Sequence, residues 1–268
     1  MKFSNVFKEE LPLHIIETKA PILSCEGCRN GKALDFNFSM AFQPLVDLEN
    51  KCVFGYEALV RGLANEPAFS VIEKVTAENI YRFDQACRVK AIALAAKSGL
   101  TKRLNINFLP GAIYRPELCI RTTLAAAEKY GFPLQNITFE IVETEQVTDT
   151  VRLKEIIDYY KKIGFSTAFD DFGSGYANLD WLAELEPNSI KLDMKLIRNI
   201  HQKAKKKTIV AAIANLAKAL EVDILAEGVE SKGERDCLAE MGITKQQGYF
   251  FAKPQFEAFI EVDGNRFT

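Results

Sequence analysis

The sequence predicts an α/β protein built on a TIM-like (β/α)8 barrel with one antiparallel strand. Three observations lead there. Short apolar segments alternate with longer helical patterns over most of the chain, which is how parallel strands joined by crossover helices read. About eight such strands fall within one domain-sized stretch of a 268-residue chain, which suits closure into a barrel. An open doubly wound sheet is the alternative, but no Gly-x-Gly-x-x-Gly follows the first strand.

Residues 1–34 carry Pro12, Pro21, Gly27 and Gly31 with little periodicity, so they read as an N-terminal extension with no domain of its own. The barrel occupies 35–262 and a short tail 263–268. Strands at 36–46 and 52–60 flank the polar turn Asp47-Leu48-Glu49-Asn50, which suits an antiparallel hairpin. A helix at 77–98 stops at Gly99. A strand at 103–107 precedes a helix opened by Pro116 and running to Tyr130, before Gly131 and Pro133. Then come a strand at 137–141, a helix at 149–163 closed by Gly164, a strand at 166–170 and a short helix at 178–185. The same alternation gives strands at 189–192, 223–226 and 245–247, helices at 204–220 and 232–241, and a last helix after Pro254.

Composition narrows the function classes. A balance of 48% hydrophobic and 26% charged residues is that of an ordinary globular protein. A formal charge of −2 argues against a general DNA or RNA binder, which is normally basic. No apolar run approaches the roughly 20 residues needed to span a bilayer, and no signal-peptide pattern opens the chain. A cytoplasmic location is the expectation. Cys52, Cys87, Cys119 and Cys237 sit singly in apolar patterns, as buried free thiols do. Cys25 and Cys28 form a lone Cys-x-x-Cys; with no second pair and only His14 upstream, it reads as an inert turn.

Polar residues fall at one end of the expected strands. Glu57 closes the second strand, Asn107 the third and Glu140 the fourth; Asp170 and Asp171 close the fifth and Lys191 the sixth. Glu227 follows the seventh and Gln247 ends the eighth. In a barrel those ends share one rim, where active sites form. One charged residue at a strand end is ordinarily a solvated loop entry; seven strands in succession, each apolar up to that point, mark a site. Five of these residues are carboxylates, and five anions in one cleft need cations beyond Lys191 to stay ionised. His14 and His201 both lie away from the strand ends, so the donors are oxygens, which favour Mg²⁺ or Mn²⁺. Adjacent Asp170 and Asp171 suit two ions, with one carboxylate bridging, an arrangement that serves in-line displacement at phosphorus. Lys191 orients or deprotonates a water, stabilises phosphate oxygens, or only balances the carboxylates. Gly173 and Gly175 give the loop after Asp171 room to gate the site, or simply to turn.

The same residues carry a resemblance. Glu57-Ala58-Leu59-Val60-Arg61 resembles the signature of the EAL family of cyclic di-GMP phosphodiesterases. Further motifs follow in the family's order: Ile106-Asn107-Phe108-Leu109-Pro110, Glu140-Ile141-Val142-Glu143, Asp170-Asp171-Phe172-Gly173-Ser174-Gly175, Lys191-Leu192-Asp193, Glu227-Gly228-Val229-Glu230, and Gln247-Gly248-Tyr249 with Pro254. The resemblance covers about residues 36–259. It implies an EAL barrel and hydrolysis of one phosphodiester bond of cyclic di-GMP to linear 5′-pGpG, with two Mg²⁺ or Mn²⁺ ions. By the same match Glu57, Asn107, Glu140, Asp170, Asp171 and Glu227 surround the metals, Lys191 serves the water, and Gln247 and Glu57 act with it. Gln43 and Arg61 match positions that contact substrate, Glu143 one that steadies the Asp-Asp-Phe-Gly loop, and Glu230 a supporting one. Asn105 lies on the same strand face as Asn107, which is nearer the rim. Ala177-Asn178 stands where Ser-Ser is frequent in the family. A homodimer formed through helices 204–220 and 232–241 is implied as well. Two other readings stand beside hydrolysis of cyclic di-GMP: a catalytically silent receptor signalling through a regulatory protein partner, and a barrel phosphohydrolase for another substrate.

Overall fold

The computed structural model describes residues 34–109, 113, 116–141, 150–173 and 179–268. Two strands open the barrel: β1 (Ser39–Asp47) and β2 (Cys52–Arg61), paired antiparallel from Ser39↔Arg61 to Asp47↔Cys52. Six parallel strands follow, each bonded to the next: β3 (Arg103–Phe108), β4 (Ile137–Ile141), β5 (Ser166–Phe172), β6 (Ser189–Leu192), β7 (Asp223–Ala226) and β8 (Lys245–Gln246). β8 returns to β1 through Val46↔Gln246 and closes the ring. β1 is the one reversed strand of the closed barrel, because a four-residue turn can join only antiparallel neighbours. Opposite Leu45 and Val46 the register skips Phe54, a bulge that bends β2 beside the point where β1 meets β8.

Helices cover the other strands. They are α1 (Phe69–Ile72), α2 (Ile80–Lys97), α3 (Pro116–Cys119), α4 (Arg121–Tyr130), α5 (Thr150–Lys162), α6 (Leu179–Leu185), α7 (Met194–Ile197), α8 (Ala204–Ala219) and α9 (Lys232–Glu240). α2 begins three residues later than its periodicity suggests, since Asn79 turns back to accept the Thr76 N–H at 2.8 Å. The helix expected from Pro116 to Tyr130 is α3 and α4, divided at Ile120, and it ends as expected on Gly131 at φ 66°. Outward-facing Phe108 and Phe139, with Phe165 just before β5, meet Tyr160 of α5 with ring centroids 5.3–6.1 Å apart.

Two expectations need correction. No helix follows Pro254: Gln255–Phe256 form a short strand β9, antiparallel to β1 at Ala41 and Phe42, and the only helical turn beyond it is a 3-10 turn at Gly264–Phe267. α2 reaches the outer face of the hairpin at Phe38 through Phe83, and around Phe42 and Tyr56 the tail covers it in extended form. Phe259 meets Phe42 at a tilt and Tyr56 edge-on, each with ring centroids 4.6 Å apart, and Tyr56 donates to the Ile260 carbonyl at 3.0 Å. Glu57 does not close its strand either, because β2 stays paired with β1 as far as Arg61. The extension 1–33 and the Cys25/Cys28 pair lie outside the described residues.

Candidate active site

Register decides which side chains meet. Gln43 on β1 pairs with Glu57 on β2, Glu57 with Asn105 on β3, and Asn107 with Glu140 on β4. Side chains two apart on a strand share a face, so both asparagines and both glutamates project into the barrel. β5 contributes Asp170 and β6 Lys191; Glu227 and Gln247 come one residue after β7 and β8.

Lys191 is the centre of this group, 1% exposed. Its Nζ lies 2.6 Å from Glu227 Oε1, 2.8 Å from Glu140 Oε2, 3.0 Å from Asp170 Oδ1 and 3.7 Å from Glu57 Oε2. Burial alone would favour a neutral amine, but Asp170, Glu140, Glu227 and Glu57 outweigh it and hold the ammonium well above its ordinary pKa. The carboxylates carry the complementary stress. Burial raises Glu140 well above the ordinary glutamate range, and Glu57 pushes the same way. Burial likewise raises Glu227, with Lys191 opposing it. Asp171 is pushed up to about 6, first by burial and then by Asp170.

Amides fix the carboxylates. Asn107 Nδ2 donates to Glu57 Oε1 at 3.1 Å, and Gln247 Nε2 to Glu57 Oε2 at 2.7 Å and Gln43 Oε1 at 3.1 Å. Gln43 Nε2 in turn donates to the Ala252 carbonyl at 3.2 Å. Asn105 Nδ2 donates to Glu140 Oε1 at 2.7 Å. Asp171 sits at φ 53°, a left-handed conformation uncommon outside glycine, held between the Asp170 carboxylate, which accepts its N–H at 3.0 Å, and Asp193. Oxygens of Asp170, Asp171 and Glu227 lie within 4.8 Å of one another, a span that one cation can bridge.

Of the residues singled out in the sequence, Gln43, Glu57, Asn107, Glu140, Asp170, Asp171, Lys191, Glu227 and Gln247 thus converge. Arg61 ends β2 at the rim, half-buried, and donates to the Val60 carbonyl at 2.7 Å. Glu230 is not among the converging carboxylates; it is exposed and bonds Arg198 at 2.6 Å. Glu143 and most of the loop after Gly173 lie outside the described residues. Two further participants have no strand-end signal of their own. Asn105 was only the alternative to Asn107, and Asp193 only a motif letter. The period of two on β3 and the helix-capping position of Asp193, which accepts the Lys195 N–H at 2.5 Å, are the signals that single them out.

Beside the site, an apolar cavity of about 600 Å³ opens between β2, β3 and α2; Leu59, Val60, Phe83, Asn107 and Leu109 are among its walls. Asn107 belongs to both spaces.

The family model for the EAL domain matches residues 31–254. The chain belongs to the EAL family. Among solved structures, a standalone EAL protein of Vibrio cholerae in its cyclic di-GMP-bound form superposes with TM-score 0.85 at 55% identity, over 87% of this chain and 99% of that one. BlrP1 of Klebsiella pneumoniae, in a complex with manganese and cyclic di-GMP, superposes with TM-score 0.80 at 30% identity, over 87% of this chain and 60% of that one. Among curated relatives, the cyclic di-GMP phosphodiesterase RocR of Pseudomonas aeruginosa is 27% identical over 94% of this chain and 66% of its own length. The blue light- and temperature-regulated antirepressor BluF of Escherichia coli is 29% identical over 84% of this chain and 56% of its own length. The chain thus spans between half and two thirds of the length of these two curated relatives. Among the described residues, no helix is long and apolar enough to cross a membrane.

Proposed function

We propose that this EAL chain hydrolyses one phosphodiester bond of cyclic di-GMP to linear 5′-pGpG, using Mg²⁺ or Mn²⁺ with two ions per site. The observation that carries the reading is the surplus of carboxylate oxygens over cations at the rim: five carboxylates against one lysine, with Asp170, Asp171 and Glu227 already within bridging distance. That donor set fits hard divalent cations. Glu57, Asn107, Glu140, Asp170, Asp171 and Glu227 would hold them. When bound, such ions supply Lewis acidity to a phosphodiester and acidify the attacking water.

The chain's own groups do the rest. Lys191, kept charged, donates rather than accepts, so its part is to orient the water and to stabilise charge on the phosphate oxygens. Gln247 fixes Glu57 from one side and Asn107 from the other, which keeps that carboxylate in one orientation. Arg61 at the rim offers a planar fork to a phosphate, and Gln43 reaches the same side of the site. The apolar cavity sharing Asn107 gives a flat purine base a place to leave water. Glu143 would steady the loop after Asp171.

A second reading has one observation in its favour: BluF is named an antirepressor. On that reading the chain binds cyclic di-GMP without turnover and signals through a protein partner. The retained carboxylates and Lys191 favour hydrolysis. Purified protein with Mn²⁺ should convert cyclic di-GMP to a linear dinucleotide, chelator should stop it, and Glu57→Ala should abolish turnover. Binding of cyclic di-GMP without hydrolysis by the wild type would instead establish the receptor. Preference for another phosphate ester in a substrate panel would reassign the substrate.

The free thiols of the described cysteines agree with a cytoplasmic site of action. A homodimer is part of the same proposal. α8 buries only Val210 and Ala217, and leaves Ile209 and Leu220 exposed beside half-buried Ile213 and Leu216. That spacing makes one apolar stripe along the helix, a surface suited to a second copy.

A further inference from the structure

We propose that Asn105 is a positioning residue for Glu140, setting which oxygen of that carboxylate faces the metal-binding rim; only the kinetic part of this inference rests on the phosphodiesterase reading. Glu140 is fully buried, and its two oxygens have separate partners: Asn105 Nδ2 at 2.7 Å from Oε1, and Lys191 Nζ at 2.8 Å from Oε2. Ionised beside the Lys191 ammonium at 2.8 Å, the Glu140 carboxylate accepts, and Asn105 turns its NH₂ toward it. The backbone of Asn105 is fixed as well, since β3 pairs it with Glu57 on one side and Thr138 on the other.

The other half of the amide shows why an asparagine stands there. Asn105 is 5% exposed, and its Oδ1 is buried without a hydrogen-bond partner among the described residues. Leaving a buried acceptor unpaired costs on the order of 1–3 kcal/mol, and a leucine of similar volume would fill the layer without that cost. The donor half therefore justifies the residue. The two asparagines divide the work: Asn107 donates to Glu57 Oε1 at the rim, and Asn105, one layer deeper, donates to Glu140 Oε1. With Oε1 held from below, Oε2 is directed upward to Lys191 and to the cations proposed above.

The test compares wild type, N105L and N105A in three measurements: Mn²⁺ binding by calorimetry without substrate, kcat and KM for cyclic di-GMP, and the thermal midpoint in chelator. N105L should bind Mn²⁺ about tenfold or more weakly and lose kcat by a similar factor. Its KM should be unchanged and its midpoint should move little, because relief of the unpaired Asn105 Oδ1 is offset by the Glu140 Oε1 left without its donor. A residue that merely fills space would leave Mn²⁺ binding and kcat unaltered in N105L whatever the midpoint does, and that result overturns the proposal. N105A, which relieves any crowding, carries the same expectation for Mn²⁺ if N105L does not fold. A wild type that binds Mn²⁺ yet leaves cyclic di-GMP intact sinks the function alone, and the calorimetry still decides Asn105. A wild type that binds no Mn²⁺ overturns both.

Discussion

Lys191 is buried on a strand among Glu57, Glu140, Asp170 and Glu227, so each group's charge depends on the others. Truncating one partner of a buried ionic cluster costs about 3–5 kcal/mol, because the remaining charges lose their compensation. Lys191→Met should therefore destabilise chelator-treated protein by about that much at pH 8, read by denaturant unfolding. The deficit has a definite pH dependence. Glu140 and Glu227 already have folded pKa values above their ordinary range, and loss of the ammonium raises them further. A carboxylate raised in the folded state is penalised at pH above that value and relieved as it takes up a proton. The deficit of Lys191→Met should thus shrink as the pH is lowered from 8 toward 5, and an equal deficit at both values would refute the coupling.

Elements place these residues through their ends as much as through their ladders. Glu227 and Gln247 lie just past β7 and β8, where no ladder fixes them directly. Their backbone is tied instead by Glu227 N–H to the Leu192 carbonyl at 3.1 Å, and Val229 N–H to the Gln247 carbonyl at 3.0 Å. The N-terminus of α9 adds a second tie. Glu234 forms a capping box with Ser231, and its carboxylate accepts the backbone N–H of Asn199, Glu230 and Ser231 at 2.7–3.1 Å. Burial works against its charge, but these bonds prevail and lower its pKa. A lowered folded pKa means stability that is present above the ordinary glutamate value and lost as the pH falls through the folded one. Glu234→Gln should accordingly lose about 1–3 kcal/mol at pH 7. Its melting curve should then approach that of wild type as the pH falls from about 5 to 3. A constant gap across that range would show that the charge is irrelevant to the loop.

At the scale of the whole molecule, the reversed first strand is what lets one short hairpin supply two neighbouring walls of the site, Gln43 and Glu57. On the hairpin's outer face the C-terminal strap covers Phe42 and Tyr56 with Phe259. The stripe on α8 is another apolar feature outside the core. If it seats a second copy, wild type should run as a dimer by light scattering at micromolar concentration. Ile209→Asp with Leu220→Asp should run as a monomer with an unchanged circular dichroism spectrum. A wild-type monomer would remove the dimer from the proposal.

The sequence by itself determined the alternation of strands and helices, the antiparallel start, and the rim on which Glu57, Asn107, Glu140, Asp170, Asp171, Lys191, Glu227 and Gln247 meet. These are local signals: apolar period, turn residues, and a polar group after each apolar run. The EAL motifs were equally legible, because they are contiguous. Only the tertiary structure decided what a side chain touches across the barrel. The register of β3 against β2 and β4 puts Asn105 under Glu140, and closure places one lysine against four carboxylates from four different strands or strand ends. The tail was misread for the same reason. Its residues have helix-compatible composition, and the outer face of the hairpin around Phe42 and Tyr56, which no local pattern reveals, draws them into an extended strap.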